Sequence, residues 1–252
     1  MIRYEGLQGR AVLITGAAGG LGRALAQGFA EQGSRLVLVD VDGDGLVQLR
    51  RELEPIATVT TVQADLSEAS ACDMVVERSV AAYGELHVLV NNAAILARTP
   101  LETLQPPDFE RVIGVNLRAP LFLARAAVAP MRAAGGGRII NVASMAARTG
   151  GTGDLHLYAA SKGGLVTLTR SLAGALAGDG ILVNAILPSN IDTPMLRSFP
   201  PERLARLVDA IPLRRLADPR EVAQLVLWLA SDAASYVTGA AWEINGGWLM
   251  GA

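Results

Sequence analysis

Short, unbroken apolar runs alternate with longer stretches of helical period along almost the whole chain. The runs are Ala11–Thr15, Arg35–Val39, Thr58–Val62, Val88–Asn91, Arg138–Val142, Ile181–Ile186 and, near the end, Ala241–Ile244. They are continuous rather than alternating, as expected for strands covered on both faces. Between them lie helical stretches at Leu21–Glu31, Gly45–Glu54, Glu68–Ala82, Pro107–Met131 and Tyr158–Ala177, with Glu221–Leu229 ahead of the last run. This β–α alternation predicts one doubly wound α/β domain over residues 1–252. Its sheet should be mostly parallel, of about seven strands, with helices on both faces. Residues 192–215 break the rhythm and are richer in proline, arginine and bulky apolar residues. An insert placed after a strand's carboxyl end is expected to act as a lid over a ligand site.

Composition narrows the partners. Of the 252 residues, 51% are hydrophobic and 18% charged, enough apolar material for a large core and too much for a disordered chain. The net charge of -2 and the lack of a basic stripe argue against nucleic acid. A single cysteine, Cys72, excludes an internal disulfide framework, and two histidines, His87 and His156, are poor material for a metal centre. The N-terminus lacks the pattern of a signal peptide, and no unbroken apolar run approaches the ~20 residues that span a bilayer. A cytoplasmic protein with no membrane partner is the expectation.

The first apolar run ends in a glycine loop, "TGAAGGLG", residues 15–22. Gly16, Gly20 and Gly22 allow a tight turn and close approach of backbone to a phosphate. The helix that begins around Leu21 would turn its free N–H groups and positive dipole end toward a pyrophosphate. Asp40 closes the second run, near the ~20-residue offset at which a carboxylate meets the adenosine ribose. It can accept from both ribose hydroxyls and would repel a 2′-phosphate. Ala17 and Ala18 occupy the loop and Val41 follows the acid, with no lysine or arginine suitably placed to hold an extra phosphate. NAD is therefore expected rather than NADP. Further along, Tyr158 and Lys162 are four residues apart, on one helix face. A free phenol, with a pKa of about 10, is a poor base near neutrality, and a nearby cation should lower that value.

With these features in place, the chain resembles the short-chain dehydrogenase/reductase family, over essentially its whole length. "TGAAGGLG" resembles the family's cofactor loop, and "NNAA" (residues 91–94) its NNAG segment, with Ala94 for the usual glycine. "NVAS" (141–144), "YAASK" (158–162), the Asn116 of "VIGVNLRAP" and "NGG" (245–247) follow in the family's order. The resemblance implies a Rossmann-type domain and a catalytic set of Asn116, Ser144, Tyr158 and Lys162. Ser144 would bind the substrate oxygen, Tyr158 would transfer the proton, and Lys162 would also bind the nicotinamide ribose. Asn116 would hold a water linking Lys162 to solvent. Cofactor contacts are implied for Gly16, Gly20, Leu21, Gly22, Asp40, Asp65, Leu66, Asn92, Tyr158, Lys162, Ile191 and Thr193. One departure stands out: Pro188-Ser189 replaces the usual Pro-Gly after the sixth strand.

The expected activity is hydride transfer between NAD and a secondary alcohol or ketone of sugar, polyol, cyclic alcohol or hydroxy acid type. A 3-oxoacyl thioester reductase is the alternative enzyme, and a non-catalytic NAD-binding sensor or scaffold the alternative of another class. Met145, His156, Met195, Leu196 and Arg197 are candidate substrate contacts by proximity alone. Trp242, Trp248, Leu249 and Met250 make an apolar ending suited to a subunit interface, and the resemblance implies a homotetramer.

Overall fold

The computed structural model describes residues 2–151, 153–197 and 199–250. Seven strands form one sheet: β1 (Ala11–Thr15), β2 (Arg35–Asp40), β3 (Val59–Gln63), β4 (Val88–Asn91), β5 (Gly137–Val142), β6 (Ile181–Pro188) and β7 (Ala241–Ile244). Their order is β3-β2-β1-β4-β5-β6-β7, and every pairing is parallel. Each residue of β1 and β4 is buried, which explains why their sequences are unbroken apolar runs.

Among the described residues, ten α-helices connect and cover the strands: α1 (Gly20–Glu31), α2 (Gly43–Leu53), α3 (Ala69–Tyr83), α4 (Pro106–Ile113), α5 (Ala119–Ala133), α6 (Ala146–Thr149), α7 (His156–Leu176), α8 (Pro194–Arg197), α9 (Pro201–Asp209) and α10 (Pro219–Ala230). Their ends follow local chemistry. Asp42 accepts from the Gly45 N–H at 2.9 Å to start α2. Asp218 and Glu221 form a reciprocal capping box around Pro219 at the start of α10.

Two apolar layers sandwich the sheet. Side chains of α1, α2 and α10 pack on one face, around Leu25, Phe29, Leu49 and Val226. Those of α3, α5 and α7 pack on the other, around Val75, Leu123 and Leu176. The crossovers from β4 to β5 and from β5 to β6 lie on the second face, whereas α10 lies on the first, beside α1. The last crossover thus has the opposite hand to the two before it, against the usual right-handed rule.

The expected helix at residues 107–131 is interrupted. Pro120 has no N–H to give the Asn116 carbonyl four residues back, and the backbone widens over Gly114–Arg118. There the Ala119 N–H reaches the Gly114 carbonyl, five residues back. Taken together, Pro106–Ala133 is long and apolar enough to cross a membrane by composition. Half of its most apolar stretch is buried inside this molecule, however, and the helix packs against α3 and the sheet as a core element.

The chain moves outward from β1 through β2 to β3, then returns to place β4 on the other side of β1. A crevice opens where such a path reverses, at the carboxyl ends of the two central strands.

Candidate active site

A cleft of about 680 Å³ occupies that crevice. Its floor is the turn between β1 and α1. Gly16 has φ +64°, and a Cβ there would lie 2.8 Å from the Ala93 Cα; a Cβ on Gly22 would lie 2.0 Å from the Gly16 carbonyl oxygen. Side chains at these two positions would collide with backbone, so the loop must be glycine to close. No side chain caps α1, and the N–H groups of its first turn keep their capacity to bind an anion. The Asn92 amide donates to the carbonyls of Thr15 and Gly16, at 3.0 and 2.9 Å, and ties the end of β4 to this loop.

At one end of the cleft the Asp40 carboxylate accepts from the Ala18 N–H at 2.9 Å and from the Asp42 N–H at 3.1 Å. The Asp65 carboxylate accepts from the Ser67 N–H at 2.8 Å, and this bond holds its pKa below the ordinary carboxylate value. Leu66 is beside it, and Arg111 reaches the same wall from α4. Sequence reasoning missed Arg111, because nothing in the local pattern of α4 shows which side chain faces the cleft. It also overlooked Arg23 in looking for cations near the loop. Arg23 donates to the carbonyls of Ala18 and Gly45, at 3.1 and 3.3 Å, and pairs with Glu52 at 3.0 Å. These bonds commit its guanidinium to the loop and to α2.

Leu21, Ile191 and Thr193 also line the cleft. Thr193 sits over the start of α1, where a Cβ on Gly20 would come within 2.9 Å of its Cγ2. Residues 190–192 are laced to Ala217, through Ala217 N–H to Asn190 at 3.1 Å and Asp192 N–H to Ala217 at 2.9 Å. The two ends of the 192–215 insert are therefore pinned together, and α8 and α9 stand between them.

The other end of the cleft gathers Ser144, Tyr158 and Lys162. Ser144 Oγ accepts from the Ala146 N–H at 3.1 Å, which leaves its hydroxyl proton free to donate. Tyr158 is half-buried. Burial pushes its phenol pKa up, and a hydrogen bond with Ser144 pulls it partly back. This corrects the expectation of a lowered value. Lys162 Nζ lies 5.7 Å from the Tyr158 ring centroid, and the ammonium donates to the Val142 carbonyl at 2.7 Å. Lys162 is only 2% exposed, and its burial pushes its own pKa down to about 7.

Asn116 is fully buried behind this wall. Its amide oxygen accepts from the Ile95 N–H at 2.8 Å, and its nitrogen donates to the Ile95 carbonyl and to Ser161 Oγ, both at 3.0 Å. The side chain holds the loop after β4 against α7 and does not line the cleft. A second buried chain runs from Asn91 to Asn141 and on to Thr169, at 2.8 and 2.9 Å, and ties β4, β5 and α7 together beneath Ser144. Ser189 Oγ is buried in the cleft wall and has no hydrogen-bond partner among the described residues. An orphaned hydroxyl of this kind carries a desolvation cost that a bound polar group would relieve.

The family model described as "Enoyl-(Acyl carrier protein) reductase" matches residues 16–249. The chain is 38% identical to the 3-oxoacyl-[acyl-carrier-protein] reductase of Thermotoga maritima, over 96% of this chain and 98% of that one. The chain belongs to the short-chain dehydrogenase/reductase family. It is also 37% identical to the cis-4-hydroxycyclohexanecarboxylate dehydrogenase of Sinomonas cyclohexanicum, over 97% of this chain and 98% of that one. The L-sorbose reductase of Gluconobacter frateurii, solved with NADPH and L-sorbose, superposes with a TM-score of 0.93 at 31% identity, covering 98% of this chain and 99% of that one. This family member is thus an oxidoreductase of CH–OH and keto groups that uses a nicotinamide cofactor. The glycine cradle, the uncapped α1 and the orphaned Ser189 hydroxyl fit such a cofactor.

Most of the proximity-based substrate candidates do not reach the cleft lining. Met145 is buried at 1% exposure, with its sulfur 3.6 Å from the Asn245 amide, so it is a core residue. Arg197 is held by Asp192 through two bonds of 2.6 and 2.7 Å, and His156 is exposed at the start of α7. Leu196 is half-buried in α8, and the Met195 side chain lies outside the described residues. The apolar ending is exposed only in part. Met250 is 74% exposed and Trp242 packs edge-on against Trp228, whereas Trp248 and Leu249 rest on the core around Leu165 and Leu187.

Proposed function

We propose that the protein is an NAD-dependent dehydrogenase that interconverts a secondary alcohol and its ketone, with Tyr158 as the proton-transfer group. The observation that carries this reading is the cleft itself, with Ser144, Tyr158 and Lys162 at one end and the Asp40 carboxylate at the other. When bound, the nicotinamide accepts or supplies the hydride. The Ser144 hydroxyl stabilises charge developing on the substrate oxygen. Tyr158 takes the alcohol proton in oxidation and returns it in reduction. Lys162, whose ammonium form burial disfavours, lies beside the phenol and binds the nicotinamide ribose. Asn116 acts by position, since its amide fixes Ile95 and α7 around the pair. Gly16, Gly20, Leu21 and Gly22 bind the pyrophosphate, Asp40 the adenosine ribose, and Asp65 with Leu66 the adenine. Asn92 lies by the adenosine ribose, and Ile191 and Thr193 hold the nicotinamide end. Residues 192–215 serve as the lid.

Initial rates with NAD and NADP over a panel of alcohols test the reading. NAD is expected to be preferred, and Asp40→Ala should lower kcat/KM for NAD by about 10- to 100-fold, the value of hydrogen bonds to a charged acceptor. The same change should improve NADP. A parent enzyme that prefers NADP would overturn the assignment of Asp40.

A 3-oxoacyl thioester reductase is the second reading, favoured by the 38% identity to the Thermotoga maritima enzyme. Faster turnover of a short 3-oxoacyl thioester with NADPH than of any alcohol with NAD would establish it. The exposed Met250 and Trp242 support a homotetramer, and light scattering should give four times the 26.3 kDa chain mass. A stable monomer would remove that assignment.

A further inference from the structure

A smaller cavity, of about 160 Å³, lies at the amino ends of the strands, the opposite edge of the sheet from the cleft. Arg10 stands just before β1, His87 just before β4, Arg138 near the start of β5, and Asp232 after α10. The cavity shares no lining residue with the cleft.

Its side chains carry more donors than acceptors. Arg10 Nε donates to the Gly6 carbonyl at 2.9 Å, and Arg138 Nη1 to the Gly137 carbonyl at 3.1 Å. The two Nη atoms of Arg10, and Nη2 and Nε of Arg138, donate no hydrogen bond among the described residues. Asp232 Oδ1 lies 3.9 Å from Arg10 Nη2 and 4.0 Å from Arg138 Nη2, beyond hydrogen-bond reach of either. The Arg138 side chain is only 18% exposed, and burial pushes its pKa down. An enclosed guanidinium with unmet donors carries a desolvation cost.

His87 adds a further donor. Its Nδ1 accepts from the Ala11 N–H at 3.1 Å, so the neutral ring carries its proton on Nε2. Glu85 is 3.5 Å from that nitrogen but is itself paired with Arg35. The cavity therefore sets two guanidinium charges, Arg10 and Arg138, against the single exposed carboxylate of Asp232.

We propose that this cavity binds a tetrahedral oxyanion, a phosphate group that is free or carried as a monoester. Its donors come from the starts of β1, β4 and β5. That spread suits an anion with acceptors on all sides better than a planar carboxylate. Asp232 is exposed at the mouth, where the organic part of an ester would lie outside. The anion would bridge two arginines that Asp232 does not reach, and so clamp the starts of β1 and β5 together. Its effect falls on stability, with the chemistry of the distant cleft unchanged.

The test is calorimetric titration of inorganic phosphate and of glycerol 3-phosphate into the protein saturated with NADH, which fills the cleft. Sodium chloride of matched ionic strength is the reference. One saturable site is expected, and the melting temperature should rise by about 3–6 °C once phosphate exceeds its Kd about tenfold. Tighter binding of the ester assigns the site to a phosphorylated metabolite, and tighter binding of the free ion assigns it to phosphate.

Arg10→Gln, at a partly exposed side chain, leaves the core intact and should weaken binding about 10- to 100-fold, as expected for lost bonds to a charged group. Two variants at position 87 separate charge from packing. His87→Asp sets a carboxylate against the arginines and should abolish binding. His87→Asn, of the same size without the charge, should keep most of it. NADH affinity should stay at the parent value in all three.

A parent that responds to phosphate no more than to sodium chloride would overturn the proposal. So would Arg10→Gln and His87→Asp variants that bind phosphate like the parent. Either result leaves the dehydrogenase reading intact. If NADH itself does not bind, the titrations run without it, and Arg10→Gln then tells this cavity from the glycine loop of the cleft.

Discussion

Replacing Tyr158 with phenylalanine is expected to lower kcat by about 10²- to 10⁴-fold, the usual contribution of a positioned acid–base group. The fold should survive, because the ring that packs beside Lys162 is kept and only the hydroxyl is removed. The melting temperature should therefore match the parent. The pH profile supplies a sharper reading. Burial raises the phenol pKa, and the Ser144 hydrogen bond opposes that rise. Oxidation needs the phenolate, so its rate should climb with pH toward the alkaline range, and Ser144→Ala should move the rise to higher pH. Tyr158→Phe should lose that dependence along with the rate. Parent-like turnover by this variant would show that the proton moves through another group.

Lys162→Met is expected to abolish turnover and to raise stability. Lys162 is the one lysine in the chain, and it is buried with its pKa pushed down to about 7. In the unfolded chain it binds its proton up to about 10.4. Between these values the unfolded state holds more protons than the folded one, so this group adds stability as pH rises from about 7 toward 10. That contribution is complete above the unfolded pKa, falls away as pH drops, and is absent below about 7. Burial of the ammonium therefore weighs most on the parent in neutral and acidic solution. Methionine fills similar space without the charge, although it leaves the Val142 carbonyl without its 2.7 Å donor. A net gain of about 1–3 kcal/mol is expected at pH 6, between the removed burial penalty and the lost hydrogen bond. The gap should close as pH approaches 10. Denaturant unfolding at the two pH values measures it, and a destabilised variant at pH 6 would refute it. Because the lysine is unique, its Cε resonance can be titrated without assignment and should show a midpoint near 7. A functional group that weakens its own fold in this way is a common trade between stability and activity.

Much of this organisation is legible along the chain. The apolar runs match the strands closely, since strands buried on both faces leave little choice of residue. Every residue named for cofactor contact lines the cleft. That agreement has a local cause: the glycine loop, Asp40 and the ends of β4 and β6 all lie where a strand stops, and a parallel sheet brings such ends to one edge. Asn116 is different. Its residue type points to the site, but its task depends on Ile95 and Ser161, which meet it only in the folded chain. Pro120 was a visible signal for the widened turn around it, through the missing N–H. Met145 shows the opposite error, because nearness to Ser144 in sequence says nothing about which way a side chain turns.

The sequence by itself determined the order of strands and helices, the glycine cradle and the pairing of a tyrosine with a lysine one helical turn away. Each of these depends on residues close together in the chain, where period, backbone freedom and spacing act directly. Tertiary structure alone decided the quantities that depend on distant neighbours. It buried Lys162 and so moved its titration to near neutrality. It bound Arg23 to Glu52 and brought Arg98 and Arg203 onto one ring from segments about a hundred residues apart. Burial and electrostatics are sums over everything nearby in space, and they take their values only when the sheet edge has been assembled.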